Sequence, residues 1–151
     1  MIVLVRKVTD DDLPTFFEHQ RDPEAVRMAA FPPRDRDAFM AHWSRILGDE
    51  TNLTRTVVVD GNVTGNVGSW LERPERRLVG YWIGREFWGR GVATAALSAF
   101  LGEVAERPLF AYVATSNVAS IRVLEKCGFV VVEDHEPSHD DDVEELLLRL
   151  D

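Results

Sequence analysis

Cysteine is nearly absent: Cys127 is the only one in 151 residues. One thiol can form neither an internal disulfide nor a multi-cysteine zinc site. That usage suits a reducing compartment, and cytoplasmic localisation is the expectation. Long apolar runs are missing too. The N-terminal stretch meets charge at Arg6, too early for the apolar core of a signal peptide or a membrane span, and it reads as a strand. Basic residues are outnumbered, 17 Lys and Arg against 26 Asp and Glu, for a net charge of −9. The acids cluster at Asp10–Asp12 and again from Glu133 to Glu145. Such charge repels nucleic-acid backbones and anionic membranes, so neither is expected as a partner. A cationic amine would be attracted, although solvated acidic loops account for the same charge. Repeats, low-complexity tracts and linkers are also lacking. A composition of 45% apolar and 28% charged residues is that of an ordered globule, and one domain over residues 1–151 is expected.

The patterning gives an order of elements. Ile2 to Val8 reads as a first strand. Asp12-Leu-Pro14 starts a helix through Glu18, with proline in its first turn. A short helix near Glu24 to Ala30 is broken by Phe31-Pro32-Pro33. Asp35 to Leu47 carries Phe39, Trp43, Ile46 and Leu47 near a 3.6-residue period and ends at Gly48. Thr54 to Val59 is β-branched, Asp60-Gly61 is a hairpin signal, and Val63 to Leu71 returns. A further strand runs from Leu78 to Ile83. Val92 to Val104 is a helix apolar around most of its surface, stopped by Pro108. Leu109 to Ala114 is apolar on both faces, like a strand buried between helices. Ser116-Asn117 opens a last helix, which Gly128-Phe129 should end as a Schellman motif. Phe129 to Val132 and Val143 to Leu150 are final strands joined by the acidic loop. The fold class is therefore α/β: a mixed sheet, antiparallel at first and parallel at the crossover from Ile83 to Leu109.

The chemistry concentrates where the Ile83 strand turns into the Val92 helix, in Gly84-Arg-Glu-Phe-Trp88-Gly89-Arg90-Gly91-Val92-Ala93-Thr94. Two glycines let backbone approach a ligand, and the helix offers unpaired N–H groups at its positive end. Phosphate or diphosphate suits that chemistry, while a plain strand-to-helix turn would use the same glycines. A dinucleotide fingerprint fails because position 94 is threonine and the acid expected about 20 residues later is absent. A phosphate-binding Walker loop fails because arginine and glycine stand at 90 and 91, where lysine and Ser or Thr are needed.

What fits is Gln/Arg-x-x-Gly-x-Gly/Ala, present as Trp88-Gly89-Arg90-Gly91-Val92-Ala93 with tryptophan in the first place. It is followed about 30 residues later by Asn117-Val-Ala-Ser120-Ile-Arg-Val-Leu124-Glu-Lys126-Cys-Gly128-Phe129. Together these resemble the GNAT family of acetyl-CoA-dependent N-acetyltransferases. Tyr81-Trp-Ile, Phe87-Trp-Gly-Arg-Gly, Asn117-x-x-Ser120 and Phe31-Pro-Pro look most like its ribosomal-protein N-terminal acetyltransferase branch.

The resemblance implies a GNAT-like splayed sheet of about seven strands flanked by helices, with acetyl-CoA as cosubstrate and no metal. It implies that backbone groups of Tyr81, Trp82 and Ile83 pair with the pantetheine arm. The N–H groups of Gly89, Arg90, Gly91, Val92, Ala93 and Thr94 would cradle the diphosphate, with Arg90 adding charge or facing solvent and Trp88 either a cofactor-binding or a packing residue. Asn117 would contact the cofactor, cap its helix, or do both. Arg122 and Lys126 point either to the 3′-phosphate end or to solvent.

Where many members of the family place a tyrosine acid, this chain has Leu124. Ser120, one turn earlier on the same face, is the substitute this branch suggests: its hydroxyl would hydrogen-bond the developing thiolate, unless it bonds back to its own helix. The acceptor is an amine, either a protein N-terminus or a small molecule. Deprotonating a lysine-like amine at pH 7 costs roughly 4.6 kcal/mol, and an α-amine roughly 1.2. Glu72, Glu86 and His42 are base candidates, and Phe31, Trp43 and Trp70 are acceptor-site candidates. Each also suits a surface or packing role. A non-catalytic acyl-CoA-binding module is the rival reading, and a homodimer is left open. His135 and His139 with Asp140–Asp142 suggest a metal site, but Pro137 between the histidines breaks the helical spacing. Cys127 reads as a small packing residue.

Overall fold

A computed structural model describes residues 1–29, 32–132 and 144–151. Among them are five α-helices and one seven-stranded sheet. In chain order these are β1 (Val3–Lys7), α1 (Leu13–Arg21), α2 (Pro23–Ala29), α3 (Arg36–Gly48), β2 (Leu53–Val59), β3 (Asn62–Arg73), β4 (Arg76–Ile83), α4 (Val92–Leu101), β5 (Leu109–Ala114), α5 (Val118–Lys126), β6 (Val130–Val131) and β7 (Glu145–Leu150). The mixed α/β architecture expected from the patterning is the one observed.

Turn chemistry sets the first hairpin. Asp60 (φ 49°) and Gly61 (φ 86°) both take the left-handed conformation that a two-residue hairpin turn requires. Val59 accordingly pairs with Asn62. The strand order is β1-β2-β3-β4-β5-β7-β6, antiparallel throughout except for β4 and β5, which run parallel. The single parallel step comes where a helix, α4, connects two neighbouring strands, the connection a parallel pair needs.

Period-two alternation divides the core. Val57, Val67, Val79 and Ile83 point to one face, where they meet Leu97 and Phe100 of α4 and Leu124 of α5. On the other face Phe16 and Phe17 of α1 pack with Phe39 and Trp43 of α3, with the Phe16 and Trp43 ring centroids 5.1 Å apart. The helix expected from Val92 to Val104 is shorter than its apolar pattern. Gly102, Glu103 and Val104 instead donate to Ala99, Phe100 and Leu101, tightening the chain into three-residue turns beyond α4. Gly102 disfavours α-helix, while Val104 remains buried and so keeps its place in the pattern. The Schellman ending of α5 is present: Phe129 N–H donates to Leu124 C=O and Gly128 N–H to Glu125 C=O, with Gly128 at φ 98°.

One polar group pins the N-terminal half. The Asp12 carboxylate is buried and accepts from Arg6, from the Thr56 hydroxyl at 2.6 Å and from the Thr9 N–H at 2.9 Å. Burial alone would raise its pKa, but these donors together hold it well below the usual carboxylate range. A depressed native pKa contributes stability above the unfolded value near 3.9 and loses it as pH falls toward the native one. Asp12→Asn is therefore expected to flatten the decline of melting temperature with acidification below about pH 4. An unchanged decline by circular dichroism would remove Asp12 from that role.

Candidate active site

The two strands that frame the site begin together and then separate. β4 and β5 pair only at Arg77 with Leu109 and at Leu78 with Phe110. Among the described residues, the edge of β4 from Val79 to Ile83 is thus left without a partner strand on that side, while β3 holds its other edge through Gly65 and Ile83. A bulge in β3 helps to set this edge. Val57 pairs with Gly65 and Val58 with Val63, so Thr64 is an extra residue, and its carbonyl accepts from Gly84 N–H at 2.8 Å.

A cleft of about 450 Å³ opens at the splay. Tyr81, Trp82 and Ile83 form its strand wall, Trp88, Gly89 and Gly91 to Thr94 its loop and helix end, and Asn117 and Ser120 its α5 wall. Met28 and Ala29 of α2 close the remaining side, a contribution the sequence reading missed. Gly89 (φ 75°) and Gly91 (φ 79°) are left-handed, and a Cβ at either would stand in open space with no atom within 4 Å. The first helical bond of α4 is Ala95 N–H to Gly91 C=O, so the amides of Val92, Ala93 and Thr94 have no acceptor within the helix. Open space in front of partnerless amides at a helix N-terminus fits a diphosphate, and an unpaired strand edge beside it fits the amide-bearing pantetheine arm. The strand edge and the helix terminus thus offer groups complementary to the pantetheine arm and diphosphate of coenzyme A.

Individual side chains fall into place unevenly. The Trp88 indole N–H donates to Ile83 C=O at 2.9 Å, so it fastens the loop to β4 and already occupies one acceptor of the strand edge. Arg90 does not line the cleft; its exposed guanidinium lies 5.8 Å from the Phe87 ring centroid. Arg122 and Lys126 do line it while remaining exposed. Asn117 caps α5, its Oδ1 accepting from Ser120 N–H at 3.2 Å. Cys127 packs with its thiol 3.8 Å from Thr94 C=O, and burial pushes its pKa up.

The largest departure concerns Ser120. Its Oγ lies 2.7 Å from the Tyr81 hydroxyl, so a tyrosine side chain reaches the site from β4 although α5 supplies none. Alternation could have found it: Val79, Tyr81 and Ile83 share the face that looks toward α4 and α5.

On the opposite face a second cavity of about 590 Å³ shares Tyr81 and Trp82 with the first. Phe16, Phe39, Trp43 and Trp70 give it an aromatic wall, and Gln20, Arg34 and His42 are among its polar groups. Trp43 and Trp70 were both anticipated for an acceptor site; Phe31 lies outside the described residues, as do His135, His139 and Asp140–Asp142. The base candidates separate here. Glu72 accepts from the Tyr112 hydroxyl at 3.2 Å and sits 3.6 Å from Arg76, lining neither cavity. Glu86 lines a shallow depression with His19 and Asp22. His42 alone of the three lines the aromatic cavity, and burial, with help from Arg34 and Arg45, lowers its pKa.

The "Acetyltransferase (GNAT) domain" family matches residues 3–130. The chain belongs to the GNAT acetyltransferase family; it is an N-acetyltransferase with acetyl-CoA as cosubstrate. No curated protein matches the sequence at a significant level. Solved structures share the fold at low identity. The spermidine N-acetyltransferase of Vibrio cholerae, in complex with CoA and spermine, is 15% identical with a TM-score of 0.82, covering 98% of this chain and 94% of that one. An aminoglycoside acetyltransferase in complex with coenzyme A and kanamycin is 18% identical with a TM-score of 0.79, covering 99% and 94%. A ribosomal-protein alpha-N-acetyltransferase in complex with coenzyme A is 15% identical with a TM-score of 0.80, covering 98% and 93%. No helix among the described residues is long and apolar enough to cross a membrane.

Proposed function

We propose that the protein acetylates a singly charged amine carried on an apolar or peptide scaffold, within a single domain of the cytoplasm. The observation that carries this reading is the wall of the second cavity. It is aromatic, and none of the described residues lining it is acidic. A polycation such as the spermine or kanamycin bound by two of the similar structures needs carboxylates to offset the desolvation of its charges. An α-amine next to an apolar residue needs only one lone pair and an aromatic surface. The likeness to a ribosomal-protein alpha-N-acetyltransferase supports a peptide N-terminus as the acceptor.

In this reading acetyl-CoA supplies the activated acetyl group. The amides of Val92 to Thr94 hold the diphosphate, Gly89 and Gly91 keep the space for it, and the free edge of Tyr81 and Trp82 binds the pantetheine. Asn117 keeps its amide nitrogen for the cofactor while Oδ1 caps α5. Ser120 hydrogen-bonds the departing thiolate. His42, held neutral by its lowered pKa, takes the proton from the amine, a small task for an α-amine near pKa 7.9. Catalysis comes chiefly from positioning the amine against the thioester.

Thiol release measured over a panel of acceptors tests this. Peptides with a free N-terminus and apolar first residues should exceed polyamines and aminoglycosides in kcat/KM by about tenfold or more, one apolar-pocket discrimination step. For the peptides, kcat/KM should fall on the acid side as His42 protonates, below its ordinary pKa of about 6.5. Faster turnover of a polyamine would overturn the acceptor assignment. CoA binding with no turnover on any acceptor would favour a non-catalytic module.

A further inference from the structure

We propose that the Tyr81 hydroxyl is a positioning group that aims the Ser120 hydroxyl into the cleft, so that the two act as one donor chain toward the thioester sulfur. The inference rests on reading the cleft as the acyl-CoA site. It begins from the 2.7 Å separation of the two oxygens, which come from β4 and α5 and both line the cleft.

A serine in a helix can turn its proton back onto a main-chain carbonyl of the preceding turn, where it is lost to any ligand. Ser120 has a phenol beside it instead. A phenol, with a pKa near 10, is a far stronger acid than an alkanol, so Tyr81 donates and Ser120 accepts. A hydroxyl that accepts along one direction presents its own proton along another, and hydrogen bonds in series strengthen one another. Burial pushes the Tyr81 pKa up, so the phenol stays protonated at any working pH.

The balance of the step is simple. The amine nitrogen forms a bond to the carbonyl carbon and gives one proton to the base. The carbon–sulfur bond breaks with its electron pair on sulfur, and Ser120 donates a hydrogen bond to that developing charge without losing its proton. CoA leaves as thiolate, of pKa near 8.5 for a thiol, and takes its proton from water after release.

The test compares wild type with Tyr81→Phe, Ser120→Ala and the double variant, each checked by melting temperature. Calorimetry in buffers of different ionisation heat gives the affinity for CoA and the protons released as it binds. Arg122, Lys126 and Cys127 are the titratable groups around the pair, and subtracting the proton release seen with desulfo-CoA removes their contribution. Wild type should release a fraction of a proton from the bound thiol near neutral pH. Both single variants should lose that release while binding desulfo-CoA as before, and their kcat should fall about 10- to 100-fold, as for loss of a donor to developing charge. The double variant should fall no further than either single, because the two hydroxyls form one chain.

Losses that multiply in the double variant would overturn the proposal. So would a Tyr81→Phe enzyme with wild-type kcat and proton release. A large loss in Tyr81→Phe alone, with Ser120→Ala unaffected, would also overturn it by making the phenol the direct donor. If wild type binds no CoA, it is the reading of the cleft that fails. Should Tyr81→Phe not fold, Ser120→Thr carries the test: it keeps a hydroxyl and should retain the proton release that Ser120→Ala loses. Loss of that release in Ser120→Thr as well would overturn the proposal.

Discussion

Gly91→Ala is expected to weaken CoA binding by about 100-fold, roughly 2.8 kcal/mol, with the fold retained. Gly91 stands at the N-terminus of α4 with φ 79°, and a Cβ added there would touch no other part of the protein. The substitution therefore costs stability only through left-handed strain, about 1–2 kcal/mol, or a melting temperature about 2–8 °C lower. Binding suffers in either response of the chain. If the loop keeps its conformation, the methyl stands in the space that the diphosphate needs. If it relaxes to negative φ, the amides of Val92 to Thr94 no longer converge on one point. Calorimetry with CoA measures the first effect and thermal melting the second. Affinity within threefold of wild type would remove the α4 terminus from the cofactor site.

Gly65→Ala is expected to have the largest effect on stability, about 3 kcal/mol, lowering the melting temperature by about 6–12 °C. An added Cβ would collide with Trp82 O and lie 3.0 Å from both Ile83 Cα and its Cδ1. Two of these are main-chain atoms, so rotamer changes offer no relief and β3 and β4 must move apart. The opposite edge of β4 faces the splay, so a β4 displaced from β3 should lose CoA affinity along with stability. A variant melting within 2 °C of wild type would show that the strands separate at little cost.

The two effects differ in a way the sequence shows only in part. Gly91 was legible as a candidate cofactor contact because it sits in a motif: a glycine before a helix, after a strand, with partnerless amides beyond it. Gly65 looks like a weak spot in a strand, and only the register of β3 against β4 shows what it avoids. The same contrast runs through the site. Asn117 was readable as a cap because the helix that follows defines its position. Tyr81 was legible as strand backbone, but its hydroxyl partner is 39 residues away, a distance no local pattern spans. Arg90 illustrates the reverse. Its charge beside a glycine loop left ligand contact and solvent both open, and the fold places its exposed guanidinium over Phe87, not among the residues lining the cleft.

The sequence by itself determined the succession of helices and strands, the hairpin at Asp60-Gly61, the Schellman end of α5 and the glycine turn before α4. Each follows from backbone preferences and apolar periodicity within a few neighbouring residues. Tertiary structure alone decided how far β4 and β5 stay paired, which of Glu72, Glu86 and His42 reaches the aromatic cavity, and that a phenol on one strand meets a serine on α5. Those outcomes depend on strand register and on helices packing against opposite faces of one sheet, and such contacts are fixed only when distant segments close on a shared core.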